Sequence, residues 1–152
     1  NMASLVYRFG RLEFPEFFSS GTRGRFNRFV VYSNTKLAIT LFTLSLAERL
    51  ADRGISVNAS DPGIVSTDII RMNNRVGDHP HRHENSGCRQ QQRTPAQGAA
   101  TAVDLLLNPQ KASLTGTLSR RCRPVRLSRR IARHAQSAEL WERTQDMLLD
   151  MM

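Results

Sequence analysis

The sequence predicts an α/β fold in which one long helix leads into a short buried strand and a ligand-facing loop. Three observations carry it. An apolar segment with helical spacing, Leu37 to Ala51, is stopped by Gly54. A β-like run, Ile55-Ser56-Val57-Asn58-Ala59-Ser60, follows directly. The turn Asp61-Pro62-Gly63-Ile64-Val65-Ser66-Thr67 comes next, at the carboxyl end of the strand, where open α/β sheets place their ligands.

The helix carries two apolar stripes. Leu37, Leu41, Leu44, Ala47 and Ala51 form one, and Ala38, Phe42, Leu46 and Leu50 form a second beside it. A helix apolar over most of its surface expects burial on more than one side. At its start Tyr32 and Lys36 stand at i and i+4 and project from one face. By spacing alone the pair is a tyrosine stacked on a lysine stem. Its chemistry offers more. A free phenol titrates near ~10. A neighbouring ammonium favours the phenolate and lowers that value, and a tyrosine so tuned exchanges a proton with a substrate oxygen.

Upstream, residues 7–31 read as an irregular connection broken by Pro15, Gly21 and Gly24. Phe9, Phe14, Phe17, Phe18, Phe26 and Phe29 anchor it, as a loop over the core edge or as a wall of an apolar cleft. Downstream, Thr67 or Asp68 caps a short helix through Met72. Residues 73–93 show no period and predict disorder. His79, His81, His83 and Cys88 lie here, yet no second ligand pair with zinc spacing accompanies them, so no metal is assigned. A shifted reading frame also fits the composition of this stretch.

Regular structure resumes at Thr94-Pro95-Ala96-Gln97, a capping box with proline in the first turn. Ala99, Ala100, Ala102, Val103 and Leu106 should pack one side of this helix, and Asn108-Pro109 ends it. Leu114 to Leu118 begins a strand, and both elements are read as core. An amphipathic helix from Gln136 to Met151, with Ser137 as N-cap, closes the chain. Leu140, Thr144, Met147, Leu148 and Met151 share its face with Trp141 at the edge, to dock on the body or cover the cleft.

The 152 residues suit one domain. Two cysteines are too few for a disulfide framework and point to a reducing, cytoplasmic setting. No run reaches the ~18 apolar residues of a membrane helix, so no membrane segment is expected in this chain. The net charge of +9 is concentrated in Arg120, Arg121, Arg123, Arg126, Arg129, Arg130 and Arg133. Without stacking aromatics in that run, no specific nucleic acid is expected. The chain starts at Asn1, and Asn1 to Leu5 reads as the end of a strand already under way. None of the nine glycines builds a G-x-G-x-x-G turn, so a fragment is expected.

Tyr32-x-x-x-Lys36, followed some thirty residues later by Pro62-Gly63-Ile64-Val65-Ser66-Thr67 and preceded by Ser4 in Asn1-Met2-Ala3-Ser4-Leu5, resembles the C-terminal half of a short-chain dehydrogenase/reductase. The long gap from Ser4 to Tyr32 resembles the retinol-dehydrogenase-like and WW-domain-oxidoreductase-like branch. The resemblance implies the C-terminal part of a Rossmann-like doubly wound parallel sheet that lacks the N-terminal dinucleotide-binding βαβ units. The partial catalytic domain would run over residues 1–118, with a basic segment and tail helix over 119–152.

The same resemblance implies an oxidoreductase that uses NAD or NADP on an apolar alcohol or carbonyl, inactive as this piece alone. Tyr32 would be the general acid/base. Lys36 would lower its pKa and hold the nicotinamide ribose, and Ser4 would orient the substrate oxygen. Pro62, Gly63, Val65 and Thr67 would border the cofactor. A homodimer through the 33–53 helix is a further implication. The rival reading is a non-catalytic remnant or basic interaction protein that binds polyanions.

Overall fold

The computed structural model describes residues 1–14, 27–66 and 92–151. The helix expected after Thr67, the histidine-rich stretch with Cys88, and Phe17, Phe18 and Phe26 lie outside the described residues. In chain order the elements are α1 (Arg28–Arg49), β1 (Asn58–Asp61), α2 (Pro95–Leu107), β2 (Thr117–Arg120), β3 (Arg123–Pro124), α3 (Arg129–Ala132) and α4 (Ser137–Leu149). Short 3-10 turns occupy Leu5–Phe9, Ala51–Arg53 and Pro109–Lys111.

The sheet is mixed. β1 and β2 run parallel, with Ala59 opposite Leu118, and their connection passes through α2 as a parallel pair requires. Asn58 latches the pair: its Oδ1 accepts from the Thr117 N–H and hydroxyl at 3.2 and 3.0 Å. On the outer side of β1, Met2 forms a parallel bridge to Ser60. The Ser60 N–H donates to the Asn1 carbonyl and the Ala3 N–H donates to the Ser60 carbonyl, both at 2.9 Å. Of the strand end expected over Asn1 to Leu5, this bridge at Met2 is what forms, and Leu5 already belongs to the 3-10 turn.

The expectation of a parallel sheet needs one correction, because β3 returns antiparallel to β2. The cause is a two-residue turn in which Arg121 and Cys122 both take positive φ, 51° and 59°, the conformation that tight hairpins need. The Cys122 N–H donates to the Thr101 hydroxyl at 3.2 Å and the Lys111 ammonium donates to the Cys122 carbonyl at 2.7 Å, which holds the turn in place.

α1 starts before the apolar stripes do, so residues 28–31 are helical and not irregular. Asn27 is the reason: its Oδ1 accepts from the N–H groups of Phe29 and Val30 at 3.0 and 3.3 Å. The buried face is Ser33, Leu37, Thr40, Leu41, Thr43 and Ala47. Two hydroxyls on that face bond back into the helix, Thr40 to the Lys36 carbonyl and Thr43 to the Ile39 carbonyl. By length and composition alone, α1 is apolar enough to cross a membrane. In the fold its buried face packs on the sheet and on the Leu5–Phe9 turn. Leu37 and Leu41 meet Ala59 and Leu118 from the sheet, Ala3 and Tyr7 from the amino-terminal segment, and Ile131 and Leu140 from α3 and α4.

Thr94 and Gln97 form both bonds of the capping box, at 3.2 and 3.0 Å, so α2 begins where expected. Its packing differs from expectation. Val103, Leu106 and Leu107 are exposed at 48, 83 and 75%, whereas Gly98 and Thr101 are buried. The helix meets the turn after β1 at Gly98. A Cβ on Gly98 would sit 2.6 Å from Cγ2 of Val65.

α4 docks on α1 and leaves the cleft open. Trp141 stacks on Phe42 with centroids 5.3 Å apart, and the Arg49 guanidinium lies 4.4 Å from its ring centre. Ser137 is the first helical residue and not the N-cap, and its hydroxyl pairs with that of Ser45 at 2.9 Å. Met147, Leu148 and Met151 stay exposed. Phe14 packs on the core edge, but Phe9 and Phe29 meet each other in the open at 5.8 Å.

Candidate active site

A cleft of about 680 Å³ opens at the carboxyl end of β1. Ser4, Tyr32, Pro62, Gly63 and Val65 all line it, joined by Asp61, Ile64 and Arg120. Ser4, Tyr32 and the Pro62 to Val65 turn are thus brought to one cleft by three elements: the edge segment, the first turns of α1 and the loop after β1.

Ser4 ends the edge segment in extended conformation, and its carbonyl accepts from the Tyr7 N–H at 3.0 Å as the chain turns. That turn is seated on α1 through Gly10. A Cβ there would stand 2.5 Å from the Ser33 carbonyl oxygen, so only glycine allows the approach. The contact falls one residue past Tyr32, which is 49% exposed toward the cleft.

Lys36 stands one turn further on. Its ammonium lies 5.4 Å from the centre of the Tyr32 ring and donates to the Met2 carbonyl at 3.1 Å. The carbonyl of the edge segment therefore fixes the cation beside the phenol, behind the cleft wall and outside its lining. An ammonium carries three donors, so two stay available.

The turn after β1 is built by Asp61. Its Oδ1 accepts from the Gly63 N–H at 2.8 Å, the side-chain-to-backbone bond that aspartate makes in turns. Gly63 takes φ +75°, a left-handed conformation that other residues enter at a cost. A Cβ at Gly63 would meet Cδ of Arg93 at 3.3 Å. Arg93 donates to the Pro62 carbonyl at 3.1 Å, and its backbone bridges Val65. The stretch expected to be irregular through residue 93 therefore ends earlier. Thr67 lies outside the described residues.

Three site residues were not singled out from sequence. Asp61 is 2% exposed, and its Oδ2 accepts from the Leu5 N–H at 3.1 Å and faces Nε of Arg120 at 3.5 Å. Its signal was available, since an acid before Pro-Gly at a strand end is a turn-building residue. Arg120 was absorbed into the basic run, although its place at the end of β2 aims it at the cleft. Arg93 had no local signal. Among the described residues no cluster of His, Cys, Asp or Glu is arranged to hold a metal ion.

The family model for short chain dehydrogenase matches residues 17–76, which include Tyr32, Lys36 and Pro62 to Thr67 but not Ser4. Retinol dehydrogenase 14 of Mus musculus is 28% identical over 155 residues, covering 97% of this chain and 43% of the relative. Retinol dehydrogenase 13 of Homo sapiens is 38% identical over 71 residues, 47% of this chain and 21% of the relative. An uncharacterized oxidoreductase of Bacillus subtilis, YhdF, is 56% identical over 39 residues, 26% of this chain and 14% of the relative. The chain thus spans less than half the length of these relatives. No solved structure gives a significant match. The chain is thus similar to the short-chain dehydrogenase family over residues 17–76 and, along most of its length, to the retinol dehydrogenases.

Proposed function

We propose that this chain carries the proton-transfer wall of an oxidoreductase that moves a hydride between NAD or NADP and an apolar alcohol or carbonyl. The observation that supports it is the convergence of Ser4, Tyr32 and the Pro62-Gly63 turn on one cleft, with the Lys36 ammonium beside the Tyr32 ring. The residues suit a nicotinamide nucleotide. The cleft is largely apolar, and the Pro62-Gly63 turn borders it beside Tyr32 and Ser4.

Tyr32 would pass its phenolic proton to a carbonyl oxygen in reduction, or take the hydroxyl proton in oxidation. Ser4 would hydrogen-bond the same oxygen and set its distance from the phenol. Lys36, fixed by the Met2 carbonyl, would stabilise the phenolate and offer its remaining donors to ribose hydroxyls. Pro62, Gly63, Val65 and Thr67 would border the nicotinamide. The dinucleotide, when bound, supplies or accepts the hydride.

In this reading the described sheet is the C-terminal part of a Rossmann-like doubly wound sheet, and the pyrophosphate site lies in βαβ units outside this chain. The division near residue 118 and a homodimer through α1 belong to the same proposal. The names of the retinol dehydrogenases favour a retinoid-like substrate.

Titration with NAD and NADP tests the reading: saturable binding that disappears in Lys36→Ala is expected. In the full-length protein Tyr32→Phe should abolish turnover and leave dinucleotide affinity within about twofold. Turnover that survives this change would remove Tyr32 from the chemistry.

One observation favours the second reading. Arg123, Arg126, Arg129, Arg130 and Arg133 are exposed, and none has an acidic partner among the described residues. Binding to a nucleic acid duplex that weakens steeply with salt would put polyanion binding ahead.

A further inference from the structure

We infer that Arg120, held beside the Pro62-Gly63 turn by Asp61, is the anion-recognising residue of the cleft, so that the ligand pairs an apolar body with a phosphate or carboxylate. The inference deepens the reading of the cleft as a nucleotide and alcohol site and rests on it.

Arg120 leaves the end of β2 and lines the same cleft as Ser4 and Tyr32. Its Nε is the atom that faces Asp61, at 3.5 Å. Asp61 is otherwise engaged, by the N–H groups of Leu5 and Gly63. The carboxylate is therefore fixed from two sides before it meets the guanidinium, and it aims the arginine without spending its fork. Both terminal nitrogens lack a partner among the described residues, and one of them lies 3.8 Å from where a Gly63 Cβ would stand. A guanidinium with both terminal nitrogens free presents parallel N–H donors, the geometry that matches carboxylate and phosphate oxygens.

Neither neighbouring cation, Arg93 or Lys36, lines the cleft. Arg93 donates to the Pro62 carbonyl and Lys36 to the Met2 carbonyl. The rest of the lining is mostly aliphatic, with Leu5, Val6, Ile64, Val65 and Ala99 prominent. A charged fork in an apolar cleft that two hydroxyls also line selects a ligand that has all three features. The anion has two candidate sources, the phosphate of the nicotinamide nucleotide and an acidic group on the substrate.

Two ligand pairs separate the sources. The chain is titrated by isothermal calorimetry with reduced nicotinamide mononucleotide against reduced nicotinamide riboside, and with dodecanoate against dodecanol. Wild type should prefer the anionic member of one pair by about tenfold or more, as a charge-assisted bond implies, and that pair names the source. Arg120→Ala should erase the preference and leave affinity for the neutral member unchanged. Arg120→Gln, which keeps the stem, should do the same, and Arg120→Lys should keep part of it. Circular dichroism confirms that each variant is folded. Equal affinities within both pairs in wild type, or a preference that survives Arg120→Ala, overturns the inference while leaving the cleft a nucleotide site. Failure of all four compounds to bind would overturn the inference and the reading beneath it together.

Discussion

Replacing Gly10 with alanine tests whether the amino-terminal turn is truly seated on α1. Gly10 has φ −73° and ψ 153°, a conformation open to alanine, so the whole effect must come from contact. The new Cβ would lie 2.5 Å from the Ser33 carbonyl oxygen and 2.8 Å from Cβ of Leu37. The first distance is 0.9 Å inside the 3.4 Å at which ordinary contact begins. Neither neighbour yields easily, since one is helix backbone and Leu37 is fully buried. Overpacking of this kind costs about 1–3 kcal/mol, offset by roughly 0.4–1 kcal/mol from a stiffer unfolded chain. A net loss of about 1–2 kcal/mol lowers Tm by roughly 2–8 °C in a domain of this size. Thermal unfolding followed by circular dichroism reads it. Gly54→Ala is the control of opposite kind, with no atom within 4 Å but φ +68°. It should cost about 1 kcal/mol through backbone strain alone. A Gly10→Ala protein as stable as the parent would show that the turn does not rest on α1, and the placement of Ser4 beside Tyr32 would lose its support.

The hairpin after β2 should be improvable. Arg121→Asn with Cys122→Gly installs the residues that positive φ favours, and should raise stability by about 1 kcal/mol in urea unfolding. Trp141 is the single tryptophan and contacts both Phe42 and Arg49 of α1, so its fluorescence reports the docking of α4. Phe42→Ala should shift its emission to the red and lower the urea midpoint. In α2, the Asp104 carboxylate is held below its usual range, first by the Lys111 ammonium that donates to it and then by Asn108. A depressed carboxylate stabilises the fold fully above its unfolded pKa of 3.8 and loses that contribution as pH falls through the lower folded value. Urea midpoints between pH 5 and 2 should therefore fall less steeply in Asp104→Asn than in the parent.

Much of the architecture was legible because it obeys local rules. The capping box at Thr94 and Gln97 formed as written, since both partners lie within one turn. The leucine stripe chose the buried face of α1 correctly at Leu37, Leu41 and Ala47. Boundaries failed where a polar cap overrode periodicity, as at Asn27, which starts α1 with residues that stay exposed. The face of α2 failed for a different reason. Apolarity named Val103 and Leu106 as core, but the short distance to Val65 requires a glycine at position 98, and the buried Thr101 on the same helix is held by the Cys122 N–H. The antiparallel β3 was invisible because Arg121-Cys122 lacks the glycine or asparagine that announces such a turn. Thr101 and Lys111, distant in sequence, supply what the turn residues lack.

The site divides along the same line. Tyr32 and Lys36 could be paired from sequence because four residues of helix fix their separation. What holds each in place could not, because it comes from the sheet. The Met2 carbonyl fixes Lys36, and the Asp61 carboxylate ties the turn after Ser4 to the turn at Gly63. Asp61 reads locally as a turn residue, a role it has through its bond to Gly63. Its second role needs Leu5, 56 residues away, and so needs the sheet to exist first. The consequence is asymmetric. Asp61→Asn keeps one acceptor oxygen for two N–H donors, so one of the two turns must give way and the other can stay. If the Ser4 turn is the one released, backbone amide exchange should quicken at Leu5 and not at Gly63. Exchange that quickens equally at both would mean that the carboxylate serves general packing, and that Ser4 is positioned by the Gly10 seat alone.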